Sequence, residues 1–181
     1  IPLQSGSNAV LKAMRRRYAR ELFADRVQAI HAVIPDAFIG ADVIVGFPGE
    51  KSAHFQDTYA FLQELPASYY HVFSYSDRPG TRASRMGDKA PHAQIKQRSK
   101  QLNALAAAKQ LAFYKKQRHT YRQVLFEHKY QDGWMYGFTE NYVKTGIPYQ
   151  EGLVNKIVQV KLSDLMPDGL FTAEIQPEHV R

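Results

Sequence analysis

The chain has 181 residues, 44% of them hydrophobic, with 24 Lys and Arg against 17 Asp and Glu and no cysteine. That is too apolar for a disordered chain and long enough for one domain or two small ones, while no apolar run nears the roughly 18 residues that cross a bilayer. The absence of thiols excludes disulfides, zinc–cysteine sites and iron–sulfur ligation by this chain itself.

In chain order, Ile1–Gln4 reads as the end of a strand. It has neither a Met nor the basic and apolar regions of a signal peptide, so a fragment is expected. The polar turn Ser5-Gly6-Ser7-Asn8 precedes a helix over 8–18, with Asn8 as N-cap and Val10, Leu11 and Met14 inward. A second helix carries Phe23, Val27, Ile30 and Ile34 and stops at Pro35-Asp36. Residues 37–45 form a β-rich run ending in Gly46-Phe47-Pro48-Gly49-Glu50. Ser52 opens a third helix with Phe55, Tyr59 and Leu62. A strand over 69–75 then runs into Asp77-Arg78-Pro79-Gly80-Thr81. Strand, loop, helix, strand predicts a parallel α/β sheet or barrel, with sites at the C-terminal ends of the strands.

One long helix is expected over 91–118, with Pro91 in its first turn and Ile95, Leu102, Ala106 and Phe113 as an apolar stripe that Lys109 interrupts. Residues 91–120 hold seven basic and no acidic residues, which is the whole imbalance of +7. Such a stretch fits a polyanion partner or a solvated helix face. From Tyr121, short β-like runs at 123–127, 133–139, 141–144, 153–162 and 170–175 alternate with turn signals and predict a small β-barrel. The expected organisation is therefore an α/β segment over 1–90, a basic connecting helix over 91–120 and an all-β barrel over 121–181.

Residues 45–52 sit between strand and helix like a phosphate-binding loop, but two residues rather than about four separate the glycines and Glu50 precedes Lys51, so nucleotide hydrolysis is rejected. Gly46 either permits close approach of a flat ligand or only makes a tight turn. Asp42 lies in an apolar strand and shares a face with Gly40, Ile44 and Gly46, where it is either a ligand-binding carboxylate or a partner for a neighbouring strand. Arg15-Arg16-Arg17 at a helix end, and Arg78 and Arg82 around Pro79-Gly80-Thr81, either bind an anion or merely complement the local backbone. The seven histidines have no metal-ligand spacing. His71 is read as a core or lumen residue. Of Tyr121, Phe126, Trp134, Tyr136, Phe138, Tyr142 and Tyr149, most are expected in the barrel core.

Taken together, Ile1-Pro2-Leu3-Gln4-Ser5-Gly6-Ser7, Val10–Met14 with Arg16-Arg17-Tyr18, Asp42–Glu50, and Phe73-Ser74-Tyr75-Ser76 with Arg78–Thr81 resemble the radical S-adenosylmethionine methylthiotransferase family. The wording of 35–40 and 71–73 is similar to the branch that methylthiolates N6-threonylcarbamoyladenosine beside the tRNA anticodon. The resemblance implies the C-terminal half of a radical S-adenosylmethionine (β/α) partial barrel followed by a TRAM-type, OB-like β-barrel. The N-terminal part of the same protein would hold two 4Fe-4S clusters, whose cysteine ligands this chain lacks, so the chain alone is expected to be inactive and to contain no catalytic residue.

For S-adenosylmethionine, the resemblance implies Gln4, Ser5, Ser7, Arg16, Asp42, Val45, Gly46, Phe73 and Tyr75. For the tRNA anticodon stem-loop it implies Arg17, Arg78, Arg82, Lys96, Lys100 and Lys115. A cytoplasmic protein without a membrane partner is expected. The alternatives are a non-catalytic RNA-binding module, or a sister enzyme acting on isopentenyladenosine in tRNA or on a ribosomal protein Asp.

Overall fold

Alternation of side chains shapes the first sheet. In the computed structural model, which describes residues 1–180 and their side chains except at 128–130 and 177–180, Leu3, Ala41, Val43, Val45 and Tyr70 are buried. Their strand neighbours Asp42, Ile44, His71 and Phe73 are not. The strands β1 (Pro2–Gln4), β2 (Gly40–Val45) and β3 (Tyr69–Ser74) pair in parallel in the order β1-β2-β3. Helices α2 (Arg20–Val33), α3 (Ser52–Glu64) and α4 (His92–Gln117) cover one face of this sheet. Phe23 and Val27, Phe55 and Leu62, and Leu102 and Ala106 join Leu3, Ala41, Val43, Val45 and Tyr70 in a single core cluster. The opposite face, carrying Gln4, Gly40, Asp42, Ile44, Tyr69, His71 and Phe73, has no helix from that cluster on it. His71 is therefore exposed on the open face, against edge-on Tyr69 at 4.9 Å, and is not a core residue.

Helix α1 (Asn8–Ala13) stops five residues short of the expected end at Tyr18. Arg15 adopts the left-handed conformation (φ 57°), Arg15 N–H donates to Lys12 O at 3.0 Å and Arg16 N–H to Leu11 O at 2.9 Å. This is the Schellman ending, which usually places glycine where Arg15 stands. The arginine gave no sequence signal for it. Arg15→Gly is expected to raise stability by about 0.5–1 kcal/mol, measurable as a shift in denaturation midpoint.

The chain divides into two compact units, Ile1–Gln110 and Leu111–Arg181, and α4 runs from one into the other. In the second unit, β4 (Tyr121–Gln131), β5 (Trp134–Thr139), β6 (Lys144–Pro148), β7 (Ile157–Leu165) and β8 (Phe171–Val180) close a barrel in the order β4-β5-β6-β8-β7. All pairs are antiparallel except β6 with β8. Asp132-Gly133, with φ of 52° and 79°, joins β4 to β5 by the tight turn that twisted hairpins favour. Val124, Phe126, Met135, Ile147, Val158, Val160, Leu162 and Phe171 fill the interior.

Two expectations shift here. The strand expected over 141–144 lies instead at Lys144–Pro148, with Pro148 at the strand end where its missing N–H is tolerated. Residues 151–153 form a short helical turn, so β7 starts only after Asn155 (φ 57°). Of the seven aromatics assigned mostly to the core, only Phe126 is fully buried. Trp134 and Tyr136 are half-buried and the other four are exposed. The last turn of α4 belongs to the barrel's polar network: Gln117 Oε1 accepts from Arg122 at 2.7 Å and from Asn141 at 3.0 Å.

Candidate functional site

The C-terminal ends of the three strands, with the turns that follow them, enclose a cavity of about 620 Å³ on the open face. Its floor is Asp42, Ile44 and Phe73, its sides are Gln4, Met14 and Arg16, and its rim is Phe47, Tyr75 and Arg78. Parity explains the floor: even-numbered β2 residues and odd-numbered β3 residues face away from the helices. Asp42 pairs with Pro2 and His71 through the backbone register, and its carboxylate has no hydrogen-bond partner among the described residues. Gln4 is buried, takes φ 74°, and accepts a hydrogen bond from Arg16 Nη2 at 2.9 Å. The Phe47 and Tyr75 rings meet edge to face at 5.6 Å.

The rim is tied down on both sides. Tyr75 OH donates to Asp77 at 3.2 Å, and Lys89 Nζ donates to the other Asp77 oxygen at 2.5 Å. The Lys89 hydrogen bond holds the Asp77 carboxyl below its usual range, and partial burial followed by the Asp77 charge pushes the Tyr75 phenol up. On the other side, Glu50 is buried and locks the turn after β2 to α4. Its carboxylate accepts from Gly46 N–H at 3.1 Å and from Arg98 at 2.6 Å, and Arg98 also donates to Glu50 O at 2.9 Å. The guanidinium lies over Phe55 at 5.4 Å. Burial raises the Glu50 carboxyl above its ordinary value, against the pull of Gly46 N–H and of Arg98.

Of the residues read as cofactor-binding, Gln4, Arg16, Asp42, Phe73 and Tyr75 line this cavity together, joined by Arg78 from the RNA set. Four others do not. Ser5 is buried against α3, its hydroxyl 3.1 Å from that of Thr58, and Ser7 donates to Asp57 at 3.5 Å. A side chain on the intervening Gly6 would meet Thr58 Cα at 2.9 Å, so this turn packs on the helix. Val45 points into the core on the helix face and is fully buried. The space beside Gly46 is filled by Ile95, whose atoms lie 2.6 Å from where a Cβ would stand. Gly46, at φ 79°, thus leaves room for Ile95 of α4 on its Cβ side. Ile44, Met14 and Phe47 were not anticipated, although the alternation that singled out Asp42 also singles out Ile44.

Among the residues read as RNA-binding, Arg17, Arg82, Lys96, Lys100 and Lys115 are exposed and outside the cavity. The basic stretch is thinner than its count suggests. Arg98 is buried, Lys109 donates to Leu65 O at 2.7 Å, and Arg118 pairs with Asp164 at 2.6 Å. Lys96, Lys100, Lys115 and Lys116 remain exposed. Among the described residues no group of His, Asp or Glu is arranged to hold a metal ion, and no helix is long and apolar enough to cross a membrane. The side chains of His128 and His179 lie outside those described.

No family model matches the chain. Individual relatives do. The chain is 38% identical, over 90% of its length, to 37% of the threonylcarbamoyladenosine tRNA methylthiotransferase MtaB of Bacillus subtilis (strain 168). It is 47% identical, over 64% of its length, to 28% of the protein of the same name from Aquifex aeolicus (strain VF5). It is 33% identical, over 99% of its length, to 36% of the tRNA-2-methylthio-N(6)-dimethylallyladenosine synthase of Staphylococcus aureus (strain JH9). The resemblance read from the strand-end motifs thus holds across the chain: it is a homologue of the tRNA methylthiotransferases, and it spans little more than a third of the length of those it matches.

Proposed function

We propose that this chain is the C-terminal part of a radical S-adenosylmethionine tRNA methylthiotransferase acting on N6-threonylcarbamoyladenosine. In this reading residues 1–90 supply one side of a (β/α) partial barrel, residues 91–120 a basic connecting helix, and residues 121–181 a TRAM-type, OB-like barrel. The observation that carries it is the sheet with helices on one face and a cavity on the other. Three parallel strands in sequential order, with helices on one side and a cavity on the other, support a barrel wall as the reading. The threonylcarbamoyl branch is supported by the names of two relatives.

The cavity fits S-adenosylmethionine in size and in donor set: about 620 Å³, a guanidinium and a carboxylate for the amino-acid end, and aromatic rings for the adenine. When bound, S-adenosylmethionine supplies the radical chemistry that activates a C–H bond for methylthio transfer. Arg16 then holds a carboxylate, Asp42 accepts from an N–H or O–H donor, and Phe73 and Tyr75 border the adenine and exclude water from it. The 4Fe-4S clusters do not fit this chain, which offers no thiolate, so their ligands belong to the remaining part of the protein and the isolated chain is inactive.

Arg17, Arg78 and Arg82 meet phosphates of the tRNA anticodon stem-loop, and Lys96, Lys100 and Lys115 of α4 supply further phosphate contacts. Replacing those three lysines by alanine is expected to flatten the salt dependence of stem-loop binding by up to about one unit of slope per lost phosphate contact, measured by fluorescence anisotropy across salt. An unchanged slope means that α4 is only solvated.

The relative named for dimethylallyladenosine favours a second reading, the sister enzyme on that nucleoside. Mass spectrometry of tRNA nucleosides from a strain deleted for the whole gene separates the two. Loss of methylthiolated threonylcarbamoyladenosine alone is expected; loss of the methylthiolated dimethylallyl nucleoside assigns the sister activity, and unchanged levels of both remove the enzyme reading. A cytoplasmic setting follows from a tRNA substrate.

A further inference from the structure

We infer that Tyr142, stacked on Phe138 on the outer wall of the barrel, is a platform for an unpaired nucleobase. Strand parity supplies the surface. Odd-numbered residues of β4 and β7 and even-numbered residues of β5 and β6 point out of the barrel, so the register aligns Lys144, Phe138, Leu125 and Ile157 in one outward row across four neighbouring strands. Lys144 is exposed, Phe138 is 38% exposed, and Leu125 and Ile157 are each 48% exposed. Contiguous exposed apolar side chains mark a contact surface, unlike single ones scattered over a protein. Tyr142 adds a flat face to the row. Its ring lies over that of Phe138, with 5.0 Å between centroids and 24° between planes, and the residue is 64% exposed.

The turn between β5 and β6 holds this ring in place at a cost. Tyr142 takes φ 67°, where a bulky residue is strained and glycine is at ease. Tyr142 N–H donates to Thr139 O at 2.9 Å and Thr139 N–H to Val143 O at 3.0 Å. Thr139 Oγ1 accepts from Val143 N–H at 2.8 Å and donates to Asn141 Oδ1 at 2.7 Å, while Asn141 donates to Gln117 of α4 at 3.0 Å. Backbone strain held by such a network collects where a side chain has to be presented. A ring so exposed adds little to the core, and a near-parallel aromatic pair is a stack that a further planar ring extends. Lys144 at one end of the row and Lys156, just before Ile157 at the other, are exposed and can meet flanking phosphates. Glu140, the acid of the turn, is engaged with Gln123 N–H at 3.0 Å and with Arg122 at 3.5 Å. Residues 121–181 hold six basic and eight acidic residues, so RNA kept here is kept by stacking rather than by net charge. This deepens the tRNA reading and rests on it for the source of the RNA: the arginines and lysines proposed above meet phosphates, and none of them meets a base.

The test titrates the 181-residue chain with a short unstructured RNA carrying 2-aminopurine at its centre, and with the same RNA made abasic at that position. Binding is expected to quench the 2-aminopurine emission, and the abasic RNA to bind about 5- to 100-fold more weakly. Tyr142→Gly suits the left-handed turn, so the barrel should stay folded, which circular dichroism checks. It should cost the same factor in affinity, remove the quench and leave the salt dependence of binding unchanged, while Tyr142→Phe should bind like the parent. A quench that depends on Tyr142, together with unchanged methylthiolation in the deletion strain, keeps the platform and removes the enzyme reading. Equal affinity for the two RNAs, a quench that survives Tyr142→Gly, or a loss that shows only as a flatter salt dependence overturns the platform. So does self-association of the chain that Tyr142→Gly abolishes while no RNA is quenched, which would make the row an interface between copies.

Discussion

Arg98→Ala is expected to destabilise the first unit by about 3–5 kcal/mol, the cost of leaving a buried carboxylate without its partner. Arg98 and Glu50 are 4% and 1% exposed in their side chains, and Glu50 also receives Gly46 N–H. The loss is not confined to one pair, because the same carboxylate fixes the turn that carries Phe47 to the cavity rim. Urea unfolding followed by circular dichroism measures it. The double variant Glu50→Leu/Arg98→Met should recover most of the loss, since an apolar pair removes the unpaired charge along with the attraction.

The pH dependence has a definite sign. Burial holds the folded Glu50 carboxyl above its ordinary 4.5. Its contribution to stability is therefore fully present below that value and is lost as pH rises through the folded value. Glu50→Gln should flatten that part of the stability profile.

Gly137→Ala is expected to cost the barrel about 3 kcal/mol, at the upper end for overpacking. A Cβ there would stand 2.2 Å from Leu125 O and 2.7 Å from Val124 Cγ1. The first of these is backbone of the paired strand β4 and cannot rotate away, so β4 and β5 must separate locally. The single tryptophan, Trp134, lies on β5 and reports directly. Its emission should redden at lower urea than in the parent. An unchanged midpoint means that the close approach of the two strands is not required. Gly46→Ala should be milder in contact terms, because the atoms it meets belong to the Ile95 side chain, although its φ of 79° adds strain.

Much of the first unit was legible because burial on one face writes a period of two. Ala41, Val43 and Val45 against Asp42 and Ile44 fixed which residues of β2 face the cavity, and the turns at 46–50 and 77–81 marked the strand ends. The same alternation already argued against Val45 as a contact. Four features were harder to read. Ser5 and Ser7 look like donors beside a site, but only the packing of α3 shows that their hydroxyls are turned to Thr58 and Asp57. Gly46 carries the same letter whatever packs on its Cβ side, and only the structure shows that Ile95, 49 positions away by the numbering, lies there. Arg98 was counted only as part of a basic stretch that fits a polyanion partner or a solvated helix face, yet it lies three residues after Ile95 and four before Leu102, inside the buried stripe of α4. A cation at that spacing signals a buried acidic partner. In the barrel, the exposed pair Phe138 and Tyr142, stacked at 5.0 Å, broke the assumption that aromatic density means core.

If the open face of β1-β2-β3 is a ligand wall, a bound ligand touches that face and not the helix-covered one. Methyl-labelled nuclear magnetic resonance of the chain titrated with S-adenosylhomocysteine tests this most directly, because neighbouring residues on β2 face opposite ways. The Ile44 methyl signals are expected to shift while those of Val43 and Val45, buried on the helix face, stay in place. Shifts at Val43 and Val45 with Ile44 unmoved, or no shift on either face, would contradict it.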